Sequence, residues 1–289
     1  MASRQQIKSR IRSVKNTRQI TRAMQLVAAS KLRRAQEAAE KPAEYALLAR
    51  QMLTRLKQLS EAGQFHLFAE RPIKKRLLIV MSSSLGLAGA YDGNVVRQVL
   101  REAKADQTAG VETSIICIGR KIAQSAARVQ GLQIEAVYTA LPEHPSADDL
   151  RPILSSAVGL FASGEVDAID IIYTHFISTV NSQVQVQRIL PAGFEDAELS
   201  EELAEAEAEP SAEELLDAAT LRLLEAQIYQ AILEGLASEQ SMRMIAMKNA
   251  TDNAKDIIDD LSLEYNNARQ AAITQELAEI SGGAEALNG

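Results

Sequence analysis

At 289 residues the chain has room for one large domain or two modest ones, and 46% apolar with 24% charged residues is an ordinary soluble globular balance. A single cysteine, Cys117, excludes an intrachain disulfide and a thiolate metal cluster, and His66, His144 and His175 stand too far apart for metal-ligand spacing. No run approaches the roughly 18 apolar residues that a membrane-spanning helix needs.

The first segment carries no Gly or Pro before Pro42, and its start lacks the apolar stretch of a signal peptide, so the expectation is a protein that is cytosolic or at most peripheral to a membrane. Ile7, Ile11, Val14, Ile20, Met24 and Val27 recur at steps of mostly three and four, which predicts one apolar helical stripe. A helix of about 40 residues would reach roughly 60 Å. Pro42 is expected to end or kink it, with a second helical pattern from Tyr45 to Leu59. From Met1 to Lys41 there are eleven Lys or Arg against two acids, Glu37 and Glu40.

The middle of the chain changes in kind. Residues 76–81, 113–118 and 168–173 read as buried strands, 134–138 as a shorter one, and 182–190, with Val184, Val186 and Ile189, as an edge strand. Helical stretches at 94–105, 121–129 and 147–162 fall between them, which predicts a parallel sheet covered by helices. Cys117 then reads as a small apolar residue within a strand. From Pro191 to Asp217 eleven acids occur without a base, read as a solvated loop or weak helix, so that different ends of the molecule face different partners.

Between Gly235 and Gly282 about 46 residues lack Gly and Pro, enough for roughly 70 Å of helix. Met244, Met247, Thr251, Ala254, Ile258, Leu261, Tyr265, Ala268 and Ala272 alternate steps of three and four, a heptad seam lean in Leu that suits close approach of one partner helix. The N-terminal helix is the candidate, in an antiparallel coiled coil, because neither helix would be stable without burying its apolar face. The expected fold class is therefore α/β with a long antiparallel helical coiled coil, whose N- and C-terminal helices flank an inserted Rossmann-like domain. The expected boundaries are 1–62, 63–210 (running into the acidic stretch 191–217) and 211–289.

Little of this carries chemistry. The first strand leads into Gly86-Leu87-Ala88-Gly89-Ala90-Tyr91-Asp92-Gly93, spaced G-x-x-G-x-x-x-G rather than G-x-G-x-x-G, and no G-x-x-x-x-G-K-[ST] occurs. A tight strand-to-helix turn is expected there, not a nucleotide site. No catalytic triad, paired carboxylates, metal site or cofactor is expected. The basic first helix would suit nucleic acid, but its charges spread over more than one face without interleaved aromatic residues, so a solvated or protein-facing surface is the plainer reading. A basic coiled-coil adaptor for nucleic acid and a nucleotide-dependent α/β enzyme remain the alternatives.

Both ends of the chain carry a resemblance. Ile20-Thr21-Arg22-Ala23-Met24-Gln25-Leu26-Val27-Ala28-Ala29-Ser30-Lys31-Leu32-Arg33 resembles the N-terminal signature of the gamma subunit family of F-type ATP synthases. Residues 236–254, with Ser241-Met242-Arg243-Met244-Ile245-Ala246-Met247-Lys248-Asn249-Ala250-Thr251, and residues 265–277 resemble its C-terminal signatures. The resemblance implies a central-stalk rotor without a catalytic site, turning inside three alpha and three beta subunits, with the α/β domain meeting epsilon and a ring of c subunits. It also implies a peripheral place on the cytoplasmic side of a cell inner membrane. By the same match, Met24, Lys31, Arg33, Arg34, Arg243, Gln270 and Thr274 are the expected contacts with beta subunits, although coiled-coil packing is the alternative for Met24. Two features depart from the family. Ser83-Ser84-Leu85-Gly86 replaces its charged turn, and residues 197–210 lack the aromatic-rich loop of some relatives. The cysteine-bearing insertion of the chloroplast form is absent, so thiol control of that kind is not expected.

Overall fold

The computed structural model describes residues 4–59, 67–69, 71–139, 141–142, 145–192 and 211–288. Most of the acidic stretch 191–217 lies outside them. The elements run α1 (Arg4–Leu59), β1 (Lys75–Met81), α2 (Tyr91–Ala109), β2 (Glu112–Ile118), α3 (Arg120–Ala126), β3 (Leu132–Tyr138), α4 (Ala147–Ala162), β4 (Ala168–Phe176), β5 (Ser182–Leu190) and α5 (Ala212–Asn288). Two compact units result: Met1–Ala28 with Met244–Gly289, and Ala29–Arg243. Both unit boundaries fall inside helices, because α1 and α5 each contribute one part to the coiled pair and one to the sheet domain.

The sheet has the order β3-β2-β1-β4-β5, parallel except for β5, which pairs antiparallel with β4 at one edge. Alternation along β1 decides what each face covers. Leu77, Ile79 and Met81 point to a core closed by α4 and α5, with Leu150, Ile153, Phe161, Ile228 and Ile232. Leu78 and Val80 point to a second core closed by α2 and α3, with Val95, Val99, Ile122 and Cys117. The Cys117 thiol is free and buried there, and burial pushes its pKa up to about 11.

The sheet domain also contains the later half of α1 and the early half of α5. Leu53 and Leu56 pack with Leu216 and Leu223, while Lys31 and Ala38 share a cleft with Leu233 and Gln240. Residue numbers rise along α1 as they fall along α5, so the pair is antiparallel. α1 continues through Pro42, which does not end it. α5 continues through Gly235, within the segment 211–289 expected to form the C-terminal helix. A Cβ at Gly235 would run into Met81 Sδ, so glycine is what lets the helix lie this close to β1.

In the first unit, Thr21 Oγ1 and Thr251 Oγ1 lie 2.8 Å apart. On α5 the expected seam is the observed one: Met247, Thr251, Ala254 and Ile258 are buried, and Met244, Leu261, Tyr265, Ala268 and Ala272 are half-buried. On α1 the expected stripe needs correction. Ile7, Thr21 and Ala28 are buried and Ile11, Val14 and Met24 are half-buried, but Ile20 is 60% exposed and Val27 54%. The seam follows a seven-residue repeat through 7, 14, 21 and 28, taking small or polar residues over the larger neighbours at 20 and 27. Small side chains let two backbones approach closely, whereas Ile20 and Val27 sit one position off the seven-residue register.

Candidate functional site

Ala-rich and Thr-bearing seam positions leave larger apolar side chains outside. Ile20, Leu26 and Val27 on α1 and Leu263, Ile273, Leu277 and Ile280 on α5 are all exposed. On α1 these alternate with cations, since Lys8, Arg12, Lys15, Arg18 and Arg22 are also exposed. An apolar band within a basic field suits a protein partner better than bulk water.

The residues expected to make contacts fall in distinct settings. Met24 is half-buried beside the α1 seam. Gln270 and Thr274 stand exposed one turn apart on α5, where Thr274 Oγ1 donates to the Gln270 carbonyl at 3.0 Å. Arg33 is exposed and pairs with Glu37 at 2.9 Å, an i,i+4 surface pair of small energetic value. Lys31 and Arg34 line a cleft of about 390 Å³ with Ser84, Leu85, Arg120 and Glu239, at the C-terminal ends of β1 and β2.

Arg243 is set apart from the exposed group. It is 7% exposed, and its Nη2 donates to the Gly86 carbonyl at 2.9 Å and to Glu239 Oε1 at 2.7 Å. Burial raises the Glu239 carboxyl above its usual range, while Arg243 acts in the opposite direction. The glycine-rich turn is thus tied to α5 by a side chain of that helix. Gly86 has φ +77°, Leu87 +58° and Gly89 +59°, and the turn is closed by Ser83, whose backbone N donates to Asp92 Oδ1 at 2.9 Å and whose Oγ donates to Asp92 Oδ2 at 2.7 Å. Tyr91, fully buried, donates through Oη to the Gly235 carbonyl at 3.2 Å.

Sequence reasoning missed a buried ionic network between β1, α2, β4 and β5. Arg76 pairs with Asp170, with Glu102 at 2.9 Å and with Asp106 at 3.1 Å, and Arg188 reaches Asp170 at 2.5 Å. Burial opposes the Arg76 charge, but Asp170 and the other carboxylates together hold its pKa above the ordinary value. Asp170 within the apolar run Ala168–Ile172 was the available signal, since a charge at the centre of a buried strand needs a partner. Three charges of one sign and two of the other knit the sheet to α2. Among the described residues, no group of three His, Cys, Asp or Glu is placed to hold a metal ion, and no helix is long and apolar enough to cross a membrane.

Comparison with known proteins agrees with this geometry. The family model described as ATP synthase matches residues 3–287. An ATP synthase gamma chain of Acidithiobacillus ferrooxidans is 40% identical, with 99% of this chain and 100% of that protein aligned. One from Macrococcus caseolyticus is also 40% identical over the same shares. Among solved structures, a chain of the Euglena gracilis mitochondrial ATP synthase has the same fold at a TM-score of 0.65 and 17% identity, covering 98% of this chain and 94% of its own. A chain from the central stalk and c-ring of the Tetrahymena thermophila mitochondrial enzyme gives 0.60 at 23% identity, covering 80% and 99%. The chain belongs to the gamma-chain family of the ATP synthases.

Proposed function

We propose that this chain is the central-stalk rotor of an F-type ATP synthase, which couples ion-driven turning of a c ring to the conformational cycle of catalytic beta subunits. End-to-end similarity to gamma chains at 40% identity carries this reading. In this reading ATP is made on the partner subunits and the chain supplies no nucleotide chemistry of its own; the bond from Arg243 to the Gly86 carbonyl supports a structural part for the glycine-rich turn. Coupling then depends on presenting different surfaces to three beta subunits at any instant. Each surface favours one beta conformation, and turning exchanges them; differential contact free energy is all that this requires.

The exposed apolar and basic residues of α1 and α5 support the proposed contacts with the alpha–beta ring. To these the reading adds Met24, half-buried beside the seam, and the exposed polar Gln270 and Thr274, with Lys31, Arg33 and Arg34 as a basic group facing acidic beta segments. Arg243 belongs to the same set by resemblance, and its buried pairing with Glu239 and Gly86 makes its part in coupling a positioning one. The sheet domain is the part that meets epsilon and the c ring, on the cytoplasmic side of a cell inner membrane. Expression of a tagged chain in its own cells tests this: alpha, beta, epsilon and c subunits are expected to co-purify with ATP hydrolysis activity. Recovery of nucleic acid with none of these subunits would overturn the reading.

A further inference from the structure

The stretch of α5 from Glu234 to Arg243 is held differently from the helix that follows. Gly235, Ala237, Ser238, Glu239, Ser241 and Arg243 are all buried, whereas from Met247 to Ile258 burial falls to one seam position in every three or four. Apart from bonds within the helix, its polar contacts go to the C-terminal end of the sheet, the turn after β1 and the start of α2. Ser238 Oγ donates to the Thr174 carbonyl at 2.9 Å and Ser241 Oγ to the Thr179 carbonyl at 2.5 Å. His175 Nδ1 and Glu234 Oε2 lie 2.5 Å apart, and Gln230 Nε2 donates to the other Glu234 oxygen at 3.0 Å. Arg243 reaches the Gly86 turn, and Tyr91 reaches the Gly235 carbonyl.

At 3.6 residues per turn these positions follow one another around the helix as 241, 234, 238, 235, 239 and 243, an arc of about 200°. Gly235 falls near the middle of the arc, against Met81. Ser241, Glu234 and Ser238 lie on one flank, and Glu239 with Arg243 on the other. A helix gripped on both flanks cannot roll against the sheet in either sense without breaking hydrogen bonds on one side or the other. A seam contact alone resists rolling far less, because its side chains lie along a single line.

We infer that Ser238, Ser241 and Arg243, closing around Gly235, are the positioning residues that lock α5 to the sheet domain and carry torque between them. This rests on the rotor reading. The grip has no counterpart in a merely packed helix, which would bury apolar residues on the facing side and need no bonds at its flanks.

The complex carrying Ser238→Ala/Ser241→Ala, and separately Arg243→Gln, is to be reconstituted in vesicles, with proton uptake and ATP hydrolysis measured together against an imposed gradient. Uptake per ATP is expected to fall in both variants, and to fall further as the opposing gradient grows. Amide exchange across 235–243 in the isolated chain is expected to quicken roughly fivefold for each hydrogen bond lost. Unchanged uptake per ATP in variants whose exchange has quickened would overturn the inference. Failure of the unaltered chain to assemble with alpha and beta subunits would instead overturn the rotor reading, leaving the exchange result to stand.

Discussion

Single positions show how closely the sheet domain is fitted. Gly119 ends β2 with φ +100°, and a Cβ there would run into the Ser82 carbonyl. Gly119→Ala combines backbone strain with a clash against main chain that cannot step aside, and is expected to cost about 3 kcal/mol or more in denaturant unfolding. Asp167 accepts hydrogen bonds from the amides of Lys74 (2.9 Å) and Lys75 (3.0 Å). Partial burial works to raise its pKa, but those two amides and Arg71 outweigh it and hold the carboxyl below its usual value. The folded carboxyl therefore releases its proton more readily than the unfolded one. Its stabilisation is complete above the unfolded pKa of 3.8 and is lost as pH falls through the lowered folded value. Asp167→Asn is expected to cost about 1–2 kcal/mol near neutrality. Unfolding midpoints of the two proteins should converge as the solution is acidified below that range.

At the scale of elements, α1 carries two kinds of apolar position that the sequence presents alike. Ala28 is 1% exposed in the seam, while Ile20, one residue from the seam at Thr21, faces outward. Ala28→Leu would force the helices apart and is expected to cost about 1–3 kcal/mol. It should quicken amide exchange in 4–28 and 244–270 while leaving the strand amides unchanged. Ile20→Ala removes little from the isolated chain, about 0.5 kcal/mol or less, because the side chain buries little there. Strands, covering helices and the α5 seam were legible because each is written locally, the central strands as short apolar runs and the helices as a period of three to four residues. The α1 seam was less so. Ile20, Leu26 and Val27 are more apolar than Thr21 and Ala28, and periodicity alone does not say that the smaller pair lies inside.

For the molecule as a whole, an apolar band beside exposed cations on α1 makes sense in an assembly rather than in the free chain. Replacing Ile20, Leu26 and Val27 together with Ser is expected to leave the free chain's far-ultraviolet circular dichroism and unfolding midpoint nearly unchanged. Its affinity for the alpha–beta ring, read by titration into the ring, should fall by roughly tenfold or more for the apolar area no longer buried. An equal loss of stability in the free chain would place those side chains in its own core instead.

Sequence by itself determined the family, the alternation of strand and helix in the middle, and the heptad seam of α5, because these are carried by residue order over short range. Tertiary structure alone decided that Gly235 lies against Met81, that Arg243 turns inward to Gly86 and Glu239, and that Arg76 and Asp170 meet inside the sheet. Each of those outcomes depends on a partner far away in the chain. A glycine ends a helix or admits a neighbour, and an arginine meets solvent or a carbonyl, according to what the fold brings beside it.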